Sequence, residues 1–259
     1  MNDTLNLENT RAKIGVRDNM VKQIVAEITR DPRNTTFLTL PANGWFMEST
    51  LLGILTSRFP QLQFEFLTFE SNGSRHTENS QQSNRLRPWG VEEISHSSEG
   101  SLKWADGMER VSGKVENCQF HYFFGNYEMP KYTTHAKRIA WADFCGLPQK
   151  GLVKTVEDGL RNWTSSLVYA TFCTVTRNVY DYKLPEGMIK RGLNRGDCVT
   201  NSKAITGYFN DGRRFPKANN IFDVDYMGGA RSRTWMKTLG YRVGHDSHKH
   251  LGLVNDTLA

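Results

Sequence analysis

The stretch that most constrains this chain runs from Arg138 to Pro148, Arg-Ile-Ala-Trp-Ala-Asp-Phe-Cys-Gly-Leu-Pro, followed by a helical pattern from Val153 to Leu160. A short apolar run ends on a single carboxylate, turns on glycine and proline, and passes into a helix. That order reads as a buried parallel strand with Asp143 at its carboxyl end. Open α/β sheets bind their ligands at this edge.

The flanking segments extend the pattern. Thr35 to Leu40 is a β-rich run that turns on Pro41, Ala42, Asn43 and Gly44, and a helix follows from Phe46 to Phe59. Leu62 to Phe69 is a second strand ending at Glu70, which makes a β-α-β unit. Glu70 is read in two ways, as an acceptor for two ribose hydroxyls at a strand end or as a solvated carboxylate. Phe120 to Phe124 gives a third strand, with Gly125, Asn126 and Tyr127 at its exit, and Ile139 to Asp143 the fourth. Ser166 to Val175 is the most strand-like segment and is expected to be the fifth and central strand. Ile221–Met227 and Thr234–Val243 alternate around a glycine-containing loop, as in an antiparallel hairpin. Four strand-helix repeats followed by this hairpin predict a three-layer α/β architecture: a Rossmann-like, mostly parallel sheet with right-handed crossovers and a terminal antiparallel hairpin.

Other segments complete the layout. Residues 1–17 are polar and read as loosely held, and Met20 to Ile28 recur at helical spacing behind Asp18. An N-terminal tail and helix (1–34) therefore precede a single domain (35–250), and 251–259 form a second tail. Residues 71–116 are a long polar insertion that is functional, disordered or structured in its own right. From Lys183 to Lys217 the pattern is helical and irregular. Lys190, Arg191, Arg195, Arg213 and Arg214 make it the most basic region, expected beside the ligand edge.

A net charge of +6 is compatible with an acidic partner such as nucleic acid, and equally with plain solubility. The four cysteines lie 25 or more positions apart, without a C-x-x-C pair, and are expected to be buried free thiols. His245, His248 and His250 have no carboxylate or cysteine framework around them, so no metal site is expected. No leader pattern opens the sequence, and no apolar run approaches the roughly 20 residues that span a bilayer. The expectation is a soluble, cytoplasmic protein with no membrane partner, and its oligomeric state is left open.

Parallel strands, a terminal hairpin, and acids ending the second and fourth strands resemble the class I S-adenosylmethionine-dependent methyltransferase fold over residues 35–243. Asp143-Phe144-Cys145-Gly146-Leu147-Pro148 resembles the D-P-[FY]-G-x-P segment of tRNA guanine-N2 dimethyltransferases at Asp143, Gly146 and Pro148. The resemblance implies S-adenosylmethionine as cofactor. It would place Pro41, Ala42, Asn43 and Gly44 along the methionine part, Glu70 on the ribose and Asn126 near the adenine. Asp143 would face the acceptor group of a nucleic-acid substrate, and Phe144 would stack on a flipped base. The first turn has one glycine where the family shows G-x-G, and Cys145 interrupts the proline-aromatic turn. A catalytically inactive, methyltransferase-like binding or scaffold protein is the alternative. Dinucleotide and P-loop readings are disfavoured, because neither glycine motif occurs at the first turn.

Overall fold

The computed structural model describes residues 11–40, 45–70, 95–97, 110–115, 117–124, 126–144, 146–174, 183–194, 197–229 and 234–244. Pro41–Gly44, Cys145, Arg195 and the three tail histidines lie outside the described residues. The strands are β1 (Thr35–Thr39), β2 (Phe64–Glu70), β3 (Ser95–Ser97), β4 (Arg110–Val115), β5 (Cys118–Phe124), β6 (Lys137–Asp143), β7 (Ser166–Cys173), β8 (Ala218–Gly229) and β9 (Thr234–Val243). The helices are α1 (Arg11–Arg30), α2 (Phe46–Arg58), α3 (Lys150–Asn162), α4 (Glu186–Ile189) and α5 (Cys198–Phe209).

Among the described residues, all nine strands join one sheet in the order β3-β4-β5-β2-β1-β6-β7-β9-β8. The five strands from β5 to β7 are parallel. β9 runs antiparallel between β7 and β8, so the terminal hairpin inserts its second strand against β7. Strands β1 and β7 are buried at every position and β6 at all but its last, as a sheet covered on both faces requires. One face carries Phe37, Phe66, Ile139 and Trp141 under α1 and α2. The other carries Leu38, Leu67, Ala140 and Val168 under α3 and α5. Helix α3 buries Val153, Val156, Gly159 and Leu160 at the three- and four-residue spacing of one helical stripe. The side chain of Asp197 caps α5 by accepting from the amides of Val199 and Thr200 (3.0 and 3.1 Å).

Four expectations need correction. Residues 11–17 are not loose: α1 begins at Arg11, and Lys13, Val16 and Arg17 are buried. The centre of the sheet is β1 and not β7, because the chain leaves β1 in both directions and the hairpin adds two strands beyond β7. The strand-helix repeat is incomplete, since β3 and β4 of the polar insertion extend the sheet beyond β5, and residues 126–136 connect β5 to β6 without a helix. The fourth correction, the position of Arg213 and Arg214, belongs with the site described below. Cys118, Cys173 and Cys198 are free thiols, the first two of them buried. No helix among the described residues is long and apolar enough to cross a membrane.

In place of a helix, residues 126–136 are held to the sheet by polar contacts. Thr36 Oγ1 on β1 and Thr134 Oγ1 donate to the buried Glu65 carboxylate (3.1 and 2.8 Å), and His121 Nε2 on β5 lies 3.5 Å from it. Burial raises the Glu65 pKa, but the hydrogen bonds from His121, Thr134 and Thr36 outweigh it, and the group titrates below its ordinary 4.5. A carboxyl depressed in the fold contributes stability above its unfolded pKa and loses it as pH falls through the folded one. Glu65→Gln should therefore lose less stability than wild type in urea unfolding between about pH 5 and about pH 3. Parallel acid limbs would show that this carboxylate does not anchor the segment.

Candidate active site

The chain turns left from β1 to β2 and β5 and right from β6 to β7, so the sheet reverses its order between β1 and β6. Neighbouring loops at such a reversal part and leave a crevice at the carboxyl ends of the strands. Asp143, the last residue of β6, stands there. So does Thr39, the last residue of β1, paired in register with Trp141.

Asp143 is not open to solvent. Its Oδ2 lies 2.6 Å from the Lys13 Nζ of α1, and the two side chains are only 5% and 3% exposed. A second acid stands beside this pair. Thr39 Oγ1 donates to the Oε1 of Glu48, in the first turn of α2, at 2.5 Å, and both residues are buried. Burial raises the Glu48 pKa and the nearby charge of Asp143 adds to it, opposed by the Thr39 hydroxyl and the charge of Arg17. The Arg17 guanidinium lies over the Phe46 ring, 5.0 Å from its centroid. Two cations of α1 and two acids, one from α2 and one from β6, thus gather at the switch point. Trp45 introduces α2 in the left-handed region (φ 52°), with its indole buried edge-on against Tyr122 (5.1 Å). A non-glycine residue in that region is strained, and its buried side chain holds it there.

The expected site residues are distributed along this edge. Glu70 is half-buried at the end of β2 and pairs in register with Phe124 of β5. The exposed Asn126 follows two residues later, so these two lie at adjacent strand ends. Phe144 points away from Asp143 onto the opposite face of the sheet, where it meets Tyr127 and Phe172 at 5.8 and 5.6 Å between ring centroids. The hydroxyl of Tyr127 donates to the Leu38 carbonyl (3.1 Å), tying the β5 exit to β1.

The basic region does not sit beside this edge as a whole. Helix α5 crosses back along the sheet, and the turn carrying Arg213 and Arg214 feeds Ala218, whose β9 partner Val243 pairs with Ser166 at the start of β7. Arg213 and Arg214 therefore lie at the amino edge. Much of the region is paired: Lys190 with Glu186 (2.7 Å) and Arg191 with Asp211 (2.8 Å) within it, and Arg214 with Glu157 of α3 (3.3 Å).

Lys13, Arg17 and Glu48 escape a reading of the sequence that treats every charged residue as solvated. Their signal is spacing. Lys13, Val16, Arg17, Met20 and Ile24 continue one helical stripe once the aliphatic stems of lysine and arginine count as apolar. Glu48 falls on the stripe of Leu51, Leu52 and Leu55. Among the described residues no group of histidines, cysteines and acids is placed to hold a metal ion.

If Lys13 and Asp143 form one buried unit, removing either leaves the other charge uncompensated. Lys13→Met and Asp143→Leu should each lower unfolding stability by about 3 kcal/mol, and the double variant should lose much less than the sum. Additive losses in denaturant titration would mean that the pair is not coupled.

No family model matches the chain, and no curated protein matches it. Among solved structures, it is similar to the methyltransferase domain of bacterial CtHen1 (8% identity, 86% of this chain and 97% of that chain covered, TM-score 0.43). It is also similar to geranyl diphosphate methyltransferase in complex with S-adenosylmethionine (8% identity, 87% and 84% covered, TM-score 0.39). A third likeness is to the 16S rRNA (adenine(1408)-N(1))-methyltransferase from Catenulisporales acidiphilia (8% identity, 87% and 92% covered, TM-score 0.35).

Proposed function

We propose that the chain transfers a methyl group from S-adenosylmethionine to a base of a nucleic acid. One observation carries this reading. The sheet reverses its order between β1 and β6, and an acid ends a strand on either side of the reversal, Glu70 on β2 and Asp143 on β6. The residues at this edge suit the cofactor: Glu70 is half-buried within reach of solvent, as a carboxylate accepting from two ribose hydroxyls must be, and Asn126 is exposed at the adjacent strand end.

The cofactor supplies an electrophilic methyl group on a sulfonium. What the protein adds is position and electrostatics, because the displacement needs the acceptor lone pair held in line. Asp143 accepts an N–H from an exocyclic amino group and orients its lone pair. Lys13, at 2.6 Å, holds that carboxylate in one orientation. The Phe144 ring, turned to the opposite face against Tyr127 and Phe172, supports the strand end from behind instead of stacking on the base. A nucleic-acid acceptor is favoured by the net charge of +6 and by the resemblance at Asp143, Gly146 and Pro148 to guanine-N2 dimethyltransferases.

Calorimetric titration with S-adenosylmethionine and with its demethylated product should show binding of both. A ligand at about 100 times its dissociation constant adds roughly 2.7 kcal/mol to unfolding stability, which thermal denaturation reads as a shift of a few degrees. Glu70→Ala should abolish that shift. Asp143→Asn should keep it while slowing methyl transfer by about 100-fold. Binding of neither ligand by the wild-type protein would overturn the reading.

A further inference from the structure

Outside the switch point, α3 forms one wall of a groove of about 350 Å³ that is closed on the other side by Pro185 and Tyr208. Three cations of α3 line it, Lys150, Lys154 and Arg161, with Glu157 and Asp158 between them. These acids are engaged within the groove. Glu157 accepts from the Tyr208 hydroxyl (2.7 Å) and lies 3.3 Å from Arg214 and 3.5 Å from Arg161, while Asp158 pairs with Lys154 (2.8 Å). With Arg214 included, four cations face two carboxylates, so the groove carries a surplus of positive charge. The guanidinium of Arg214 also lies over Tyr208, 4.2 Å from the ring centroid.

The course of the groove gives the surplus a direction. Helix α3 leaves the carboxyl edge only seven residues after Asp143, and the amide of Lys150 donates to the Lys183 carbonyl (2.8 Å), which brings the next segment against the helix start. From Lys150 to Arg161 the helix climbs about 16 Å toward the amino edge, where Arg214 stands. The groove therefore starts on the carboxyl side of the sheet and leads toward the part of the basic region that the fold carries to the amino edge.

We propose that this groove between α3 and the Pro185–Tyr208 wall is the track for the phosphate backbone of the nucleic-acid substrate, running from the acceptor base at Asp143 along Lys150, Lys154 and Arg161 toward Arg214. The occupant is identified by shape and charge. The groove is open, elongated, polar and net positive, which suits a chain of phosphodiesters and offers a compact apolar ligand little to bury. This inference rests on the methyl-transfer reading for the identity of the strand, and on the groove itself for its path.

The test is fluorescence anisotropy of a short labelled single-stranded RNA over a range of salt concentrations, with S-adenosylmethionine binding measured by calorimetry on the same preparations. The groove variant is Lys150→Gln with Lys154→Gln, both exposed positions. The control is Lys22→Gln with Arg58→Gln, an equal loss of charge on the face covered by α1 and α2. The groove variant should bind RNA about tenfold more weakly at low salt, and its log–log salt slope should fall by about 1.4, two contacts at about 0.7 each. The control should bind nearly as wild type, and cofactor affinity should be unchanged in both. An equal loss in the control would show diffuse attraction by net charge and overturn the track, as would wild-type affinity in the groove variant or no RNA binding by the wild-type protein. Cofactor binding reports separately: RNA binding that depends on the groove, in a protein that binds no S-adenosylmethionine, would leave the track standing and remove methyl transfer.

Discussion

The buried ion pair between Lys13 and Asp143 ties the N-terminal helix to the one strand on which the candidate site depends. It has a counterpart at the other end of the same strand. Lys137, the first residue of β6, is 1% exposed and donates to the carbonyls of Glu27 and Asp31 at the end of α1 (3.1 and 2.5 Å). The spans agree: from Lys13 to Glu27 a helix rises about 21 Å, and from Lys137 to Asp143 a strand extends about 20 Å. Helix α1 is therefore pinned across the length of β6 in the reverse direction, cations meeting carboxylate at one end and helix carbonyls at the other. A lysine donating to the last carbonyls also opposes the negative end of the helix dipole.

This arrangement is costly if its only purpose is to hold the fold. Removing a carboxylate and an ammonium from water costs several kcal/mol each, and a well-packed apolar pair often stabilises as much. The same helix already buries Val16, Met20, Ile24 and Ile28 against the sheet. The cluster at the carboxyl edge goes further, since Glu48, Arg17, Lys13 and Asp143 are all withdrawn from solvent within one crevice. A carboxyl in a cleft whose pKa is raised by burial, as that of Glu48 is, with charged partners beside it, is a mark of a functional site. The physical cost of the cluster thus supports placing the proposed site at the switch point.

The long apolar elements were legible because their signals are local. The runs that became β1, β2, β6 and β7 are short, β-branched or aromatic, and bounded by glycine, proline or acids, so their strand character and the position of Asp143 at a carboxyl end follow from sequence spacing. The hairpin was legible for the same reason. Sheet order was less so: nothing local tells β7 that β9 will enter beside it, or tells Ser95–Ser97 and Arg110–Val115 that they will extend the far edge. The missed part of the site has a different cause. Lys13 and Arg17 read as solvent-facing residues because their partners lie some thirty to 130 positions away, Glu48 on α2 and Asp143 on β6. Charge on a helix is ambiguous until the opposing surface is known. The basic segment failed in the same way, because the direction in which α5 crosses the sheet decides which edge receives Arg213 and Arg214.

Hydrogen–deuterium exchange with and without S-adenosylmethionine tests the central claim, that the cofactor is held at the carboxyl edge beside a strand clamped by α1. Protection should rise at the ends of β1, β2 and β6 and in the first turns of α1 and α2, and should change little at the amino edge around Arg213 and Lys217. Protection confined to the amino edge, or no change at the first turns of α1 while the ligand demonstrably binds, would contradict this account of the site.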